Sequence, residues 1–253
     1  MLAYKNRLVV FLICTSLLLL FKGCTKMSVT GYLQKSGIAF TFDDYSVDEW
    51  FRCLPLLDSF GVKATFYISN YNKFKREDIK KLRLIQKSGH EIAFHSTNHF
   101  NMVKYVNNEG MDSLIRNEIL AGLSKMNADR FYPTTFAYPF GRHTQAIDNT
   151  LLKYFRSVRA LNGTNNYAKS LATTNNNSIL YGLGIDESSK RPLSTILQLV
   201  DNAHDDNNCL VLVSHHTDLP GTKFITSYHT LREIIKKAVA LNMHFYTVSE
   251  ISR

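Results

Sequence analysis

The chain has 253 residues, of which 45% are hydrophobic, 20% charged and 12% aromatic, with 12 Gly and 5 Pro. That apolar content is enough to bury a core against chain entropy, so collagen-like, low-complexity and disordered readings are excluded, and one domain or at most two is expected. The formal net charge is +9, but the Lys and Arg are scattered, with short clusters at Lys73 to Arg83 and Lys236-Lys237; they read as solvated helix faces and not as a nucleic-acid groove.

At the N-terminus Lys5 and Arg7 precede an apolar run from Leu8 to Phe21 that ends in Lys22-Gly23-Cys24. This pattern predicts an export signal over residues 1–23. Its 14 apolar-run residues fall short of the roughly 20 that a membrane-spanning helix needs. Gly23-Cys24 resembles a bacterial lipobox, which predicts acylation of Cys24 and a lipid tether to the cell envelope; ordinary cleavage would leave a periplasmic or secreted protein. Loss of residues 1–23 removes three basic residues and no acids, leaving 27 basic against 21 acidic residues. Residues 24–37 read as a short linker and 38–253 as one folded domain.

From Ile38 short apolar runs alternate with amphipathic ones, the signature of repeated β-α units around a parallel sheet. Ile38 to Phe42 reads as a buried strand. Ser46-Val47-Asp48-Glu49 reads as a capping box that opens a helix to about Phe60, kinked at Pro55 and closed by Gly61. There follow strand Ala64 to Ser69, helix Glu77 to Ser88, strand Glu91 to Phe94, a longer helix from Gly110 to Met126, strand Thr134 to Tyr138, helix Gln145 to Phe155 and strand Ser157 to Leu161. Asn162 to Ser178 reads as a polar surface loop. Strand Ile179 to Leu183, helix Leu193 to Ala203, strand Leu210 to Ser214, helix Leu231 to Leu241 and strand His244 to Val248 complete the chain. The expected fold is α/β, a single distorted (β/α) barrel of about seven β-α units, with an open doubly wound sheet as the alternative. Cys53 and Cys209 read as small buried hydrophobes, and the absence of a CxxC excludes a Cys-based zinc site.

In such folds the functional groups gather where strands end. Asp43-Asp44 follows the first strand, His95-Ser96-Thr97-Asn98-His99 the third, Pro139-Phe140-Gly141 the fourth, and His215-His216 the strong late strand. Two His four apart can face one another on a helical turn, and a carboxylate from another strand end completes a three-ligand set with room for water, as in a catalytic metal site. Successive side chains of a strand alternate faces, so Asp43 and Asp44 should have different jobs, one binding the cation and the other serving as base; the alternative for Asp44 is a helix N-cap. The late His is the natural general acid, with His215 preferred over His216.

These segments resemble the polysaccharide deacetylases, the NodB-homology family of carbohydrate esterases, from about Ile38 to Val248. Thr41-Phe42-Asp43-Asp44 resembles that family's first motif, His95 to His99 its second, Phe136 to Gly141 its third and Leu212-Val213-Ser214-His215 its last. The resemblance implies a catalytic domain over residues 38–253 with a divalent metal held by Asp44, His95 and His99. Zinc heads the expected ions, with Co, Ni or Mn as alternatives. It further implies Asp43 as base, His215 as acid, and Tyr45, Pro139, Phe140, Gly141 and Val213 at the substrate. The implied reaction is removal of acetyl groups from an N-acetylated glycan, with no nucleic-acid partner. A non-catalytic carbohydrate-binding relative and an O-acetyl esterase are the alternatives. One departure stands out: Ala137 occupies the place where the family commonly carries an Arg that pairs with the base. Arg159, at the end of the next strand, either supplies that cation or is an ordinary surface residue. The segment around Gly184-Ile185-Asp186 matches the fourth motif poorly.

Overall fold

In the computed structural model, which describes residues 35–163, 166–172, 178–219 and 221–252, the first apolar run forms β1 (Gly37–Asp44). Ile38, Phe40 and Phe42 face outward into the main core, while Ala39 joins a second buried cluster inside the sheet, as the period of two requires. The same alternation recurs in β2 (Ala64–Ile68), β3 (Glu91–Phe94), β4 (Thr135–Ala137), β5 (Ser157–Leu161), β7 (Ile179–Gly184) and β8 (Cys209–Ser214), where β6 is the short strand Leu171–Ala172. These strands run parallel in the order β1-β2-β3-β4-β5-β7-β8, and β8 pairs with β1. The result is the expected distorted barrel of seven parallel strands.

The helices lie outside it: α1 (Val47–Ser59), α2 (Arg76–Lys87), α3 (Met102–Glu109), α4 (Met111–Ser113), α5 (Ala121–Ala128), α6 (Gln145–Leu151), α7 (Leu193–Asp205) and α8 (Tyr228–Ala240). Their buried faces, among them Trp50 and Leu57 of α1, Leu82 and Ile85 of α2 and Ile234 of α8, pack on the outward strand residues. β3 and β4 share one register pair, Phe94 with Phe136. Behind that thin seam Phe94, Phe136 and Phe155 pack with ring centroids 5.3 to 6.1 Å apart, so side chains support the closure where backbone pairing is scarce.

The interior is a stack of side chains. At the amino end of the strands Glu91 accepts hydrogen bonds from Thr65, Thr135 and the Ser249 amide at 2.8 to 2.9 Å; Ser249 lies in α9 (Val248–Ile251), which closes that end. Burial raises the Glu91 carboxyl above its ordinary value despite those bonds. Above it sits the Tyr67 ring with Arg159 over its face at 5.1 Å. Gly182 makes room for this layer, since a Cβ there would lie 2.2 Å from Val213 Cγ2 and 3.0 Å from Arg159 Cδ. The carboxyl ends of the strands open to solvent.

Several local expectations are corrected. Ser46 precedes α1 but makes no side-chain capping bond; instead Ser46 Oγ and Glu49 Oε2 both reach His216 Nδ1, at 2.9 and 2.6 Å. A tertiary imidazole outcompetes the local capping box. α1 runs on through Pro55. The long helix over Gly110 to Met126 is α4, a π-helical segment Leu114–Leu120 and α5, preceded by an unexpected α3. The helix expected to Phe155 ends at Leu151. The last strand is only His244–Phe245 (β11), because Thr247 and Glu250 form a capping box that starts α9. Within the expected polar loop, Leu171–Ala172 pairs antiparallel with β8, and Ser170 and Ala172 are buried. A further two-stranded ribbon joins β9 (His216–Thr217) and β10 (Ile225–Thr226). Cys53 and Cys209 are free, buried thiols, pushed up in pKa by burial. The expected export signal, Cys24 and most of the linker lie outside the described residues, and no described helix is long and apolar enough to cross a membrane.

Candidate active site

A cavity of about 910 Å³ opens at the carboxyl ends of the strands, within the range of small-ligand sites. Asp43, Asp44, His95, His99, Phe140, Gly141, Val213 and His215 all line it. Ligand atoms of Asp44, His95 and His99 lie within 4.8 Å of one another. Asp44 Oδ1 is 3.1 Å from His99 Nε2 and 3.6 Å from His95 Nε2.

Asp43 and Asp44 would diverge on an extended strand. They converge here because Asp44 takes a φ of 87°, a left-handed conformation that turns its side chain back over the barrel mouth. Likewise, the two histidines do not share a helical turn: they span a loop in which Ser96 and His99 have φ of 70° and 59°, and Phe140 opposite has φ 59°. Four of the ten non-glycine residues with positive φ among the described residues therefore surround one site. Each costs on the order of 1–3 kcal/mol, and such strain persists where surrounding contacts over-determine it. For His99 those contacts are visible. Its amide donates to Ser96 Oγ at 2.9 Å, and the fully buried Glu118 accepts from the Asn98 amide at 3.0 Å and from Asn98 Nδ2 at 2.6 Å. The Glu118 carbonyl also accepts from the Thr97 amide and hydroxyl. Glu118 reaches the loop from the π-helical segment, a feature that recurs at functional sites.

His95 sits 2.8 Å from the Ala137 carbonyl through Nδ1. A carbonyl only accepts, so Nδ1 carries the proton. Burial outweighs the pull of Asp43 and Asp44 and pushes the His95 imidazole down to about 4, so at neutral pH Nε2 presents a lone pair to the Asp44 carboxylate. Burial pushes the Asp44 carboxyl up, but the close His99 contact and the charges of His95, His215 and His99 outweigh it and hold Asp44 below the ordinary carboxylate range. Asp44 Oδ1 is buried without a hydrogen bond. Donor atoms 3.1 and 3.6 Å apart have the spacing of neighbouring ligands around a divalent cation bound at roughly 2.0–2.1 Å, and the Ala137 carbonyl is the outer partner that fixes the His95 tautomer.

Asp43 is paired with Arg159, whose Nη2 donates to Oδ1 at 2.6 Å and Oδ2 at 2.5 Å. Arg159 is fully buried, which removes the surface reading of that residue. Its backbone is the direct register partner of Ala137, so the guanidinium enters the barrel one strand over from Ala137, whose small side chain leaves the space. Across the cavity, His215 Nδ1 meets Asp186 Oδ2 at 2.7 Å, and Ser188 Oγ donates to Asp186 Oδ1 at 2.6 Å. Burial pushes the His215 imidazole down, but the Asp186 bond and the charges of Asp43, Asp44 and Asp186 outweigh it, and the net shift is upward. Glu118 carries no motif a sequence reading could have used, since it acts through a partner 20 positions away; Asp186 lies in the segment that matches the family's fourth motif poorly, yet it pairs with His215 across 29 positions.

Other expected site residues divide. Val213 lies in the cavity wall, fully buried, and Phe140 is 58% exposed with its ring 4.8 Å from that of His99. Pro139 is buried behind the wall. Tyr45 and His216 line a neighbouring cleft of about 340 Å³. His215, not His216, faces Asp44, His95 and His99, because β8 ends at Ser214 and the next two side chains point into different clefts.

The profile described as Polysaccharide deacetylase matches residues 30–156. No curated protein sequence matches the chain. Among solved structures, the catalytic domain of a peptidoglycan N-acetylglucosamine deacetylase from Eubacterium rectale is 18% identical over 88% of this chain and 93% of that one, with a TM-score of 0.59. A family 4 carbohydrate esterase from Streptomyces lividans, in complex with acetate, is 17% identical over 85% and 94%, at 0.58. A family 4 pseudoenzyme from Bacillus anthracis is 16% identical over 87% and 66%, at 0.60.

Proposed function

The chain belongs to the polysaccharide deacetylase family, and from that premise we propose that it is a metal-dependent hydrolase that removes acetyl groups from an N-acetylated glycan of the cell envelope. The observation that carries this reading is the convergence, at one barrel mouth, of the trio Asp44, His95 and His99 with the two oriented pairs Asp43–Arg159 and His215–Asp186.

Asp44, His95 and His99 would hold the ion, which supplies Lewis acidity toward the acetyl carbonyl and acidifies water. Asp43 accepts the proton of the attacking water; the Arg159 guanidinium keeps this carboxylate ionised and aimed. His215, its proton retained by Asp186, donates through Nε2 to the departing nitrogen. Val213 and Leu161 offer an apolar wall to the acetyl methyl, and the exposed ring faces of Phe140 and Phe224 suit sugar rings. The presence of a buried cation on Asp43 argues against the binding-only alternative, because a binder has no need of an oriented base. Export through residues 1–23 and a lipid tether at Cys24 are part of the proposal and would bring this site to an envelope glycan.

The test is acetate release from chito-oligosaccharides, peptidoglycan fragments and acetylated xylan by protein stripped of metal and reloaded with Zn²⁺, Co²⁺, Ni²⁺ or Mn²⁺. Turnover that requires metal and is lost in Asp43→Asn is expected. Tight glycan retention without acetate under every metal would replace the reading with a carbohydrate-binding protein, and release from xylan alone would make it an O-acetyl esterase.

A further inference from the structure

The charges around the cavity do not balance. Its three carboxylates are each accounted for: Asp43 pairs with Arg159, Asp186 with His215, and Asp44 belongs with His95 and His99 to the trio that would hold a cation. His143 is matched by Asp148 at 2.9 Å. Two further cations line the cavity, Arg142 and Arg191. Arg142 is exposed and follows directly on the left-handed Phe140-Gly141 turn; it has no carboxylate within ion-pair distance among the described residues. Arg191 is half-buried. It donates from Nη1 to the Gly184 carbonyl at 2.5 Å and lies 5.6 Å over the Tyr167 ring, again with no carboxylate partner among the described residues. These contacts fix the guanidinium and leave its charge unneutralised, an arrangement that costs solvation unless an anion arrives.

We propose that the cavity selects glycans that carry a carboxylate close to the acetylated sugar, with Arg142 and Arg191 as the counter-charges. Guanidinium groups match carboxylates through paired N–H donors, and a pocket with surplus positive charge raises the local concentration of an anionic ligand. Two chemistries fit: a uronic acid adjoining an N-acetylhexosamine, and a carboxyalkyl ether on the acetylated sugar itself. This selectivity rests on the reading of the cavity as a glycan site, but not on turnover.

The test compares three probes on the full-length, zinc-loaded protein: a polymer of alternating N-acetylglucosamine and glucuronate, peptide-free peptidoglycan strands with their lactyl carboxylates, and neutral chitohexaose. Acetate release and retention in affinity electrophoresis are read side by side. At low ionic strength one of the acidic probes is expected to be favoured over chitohexaose by about tenfold, and the difference should shrink at roughly 0.5 M NaCl. Which acidic probe is favoured names the source of the carboxylate. Arg142→Gln should bring the acidic-to-neutral ratio close to one, and Arg142→Lys should restore part of it; Arg142 is exposed, so folding is not at stake. Equal handling of acidic and neutral probes, or a preference that survives in Arg142→Gln and in Arg142→Gln/Arg191→Gln, overturns the proposal. Retention of an acidic glycan through Arg142 without acetate would instead sink the hydrolase and leave the selectivity standing.

Discussion

Replacing Asp186 with Asn keeps the shape of the side chain and removes its charge. The bond it makes to His215 Nδ1 is 2.7 Å long and almost shielded from water, the Asp186 side chain being 3% exposed, so it counts among charge-assisted bonds worth about 1.5–3 kcal/mol. If that energy supports the proton-donating ring in the transition state, its loss lowers kcat/KM by about 10–100-fold, at about 1.4 kcal/mol per decade. The sign of the pH effect follows from the same contact. Asp186 is one of the groups that overcome burial and raise the His215 pKa, and a proton donor works only while protonated. The raised value extends activity upward in pH, so Asp186→Asn should move the alkaline limb of kcat/KM to lower pH. The assay is acetate release from chito-oligosaccharide at saturating zinc across the neutral and alkaline range. An unmoved alkaline limb with activity intact would refute the assignment of His215 as acid. A rate loss with the limb unmoved would reduce Asp186 to a packing role.

Arg159→Met should destabilise the protein by about 3–5 kcal/mol, the cost of leaving a buried carboxylate without its partner, and an unchanged denaturation midpoint would contradict the burial of that pair. Glu118→Ala should weaken zinc by about 10–100-fold, as loss of outer-shell support does, measured by chelator competition; wild-type affinity would show that the His99 loop holds itself. Zinc at a hundredfold excess over its dissociation constant should stabilise the chain by about 2.7 kcal/mol. His99→Ala should abolish that gain in a thermal melt, and a persistent gain would locate the ion elsewhere.

Much of the barrel was legible because it rests on local signals. The apolar runs at Ile38, Ala64, Glu91, Ser157 and Leu210 are too short for helices and too apolar for exposed strands, and all became barrel strands. Less legible were the elements whose form depends on distant partners. Ser46 and Glu49 carry a capping-box pattern, yet His216, about 170 positions away, takes both side chains. Leu171–Ala172 sits in a polar stretch and becomes a strand only because the edge of β8 needs a partner there.

The sequence by itself determined which chemical groups end the strands: two adjacent carboxylates, a pair of imidazoles and a late histidine, each fixed by its place after an apolar run. Only the tertiary structure decided how they are aimed. Positive φ at Asp44 and His99 is a backbone state that neither residue type prefers strongly enough to announce. Arg159 meets Asp43 across 116 positions, through the register that sets it beside Ala137. Such contacts are non-local and depend on barrel closure, so no window of sequence contains them; the strands supply the groups, and their register supplies the partners.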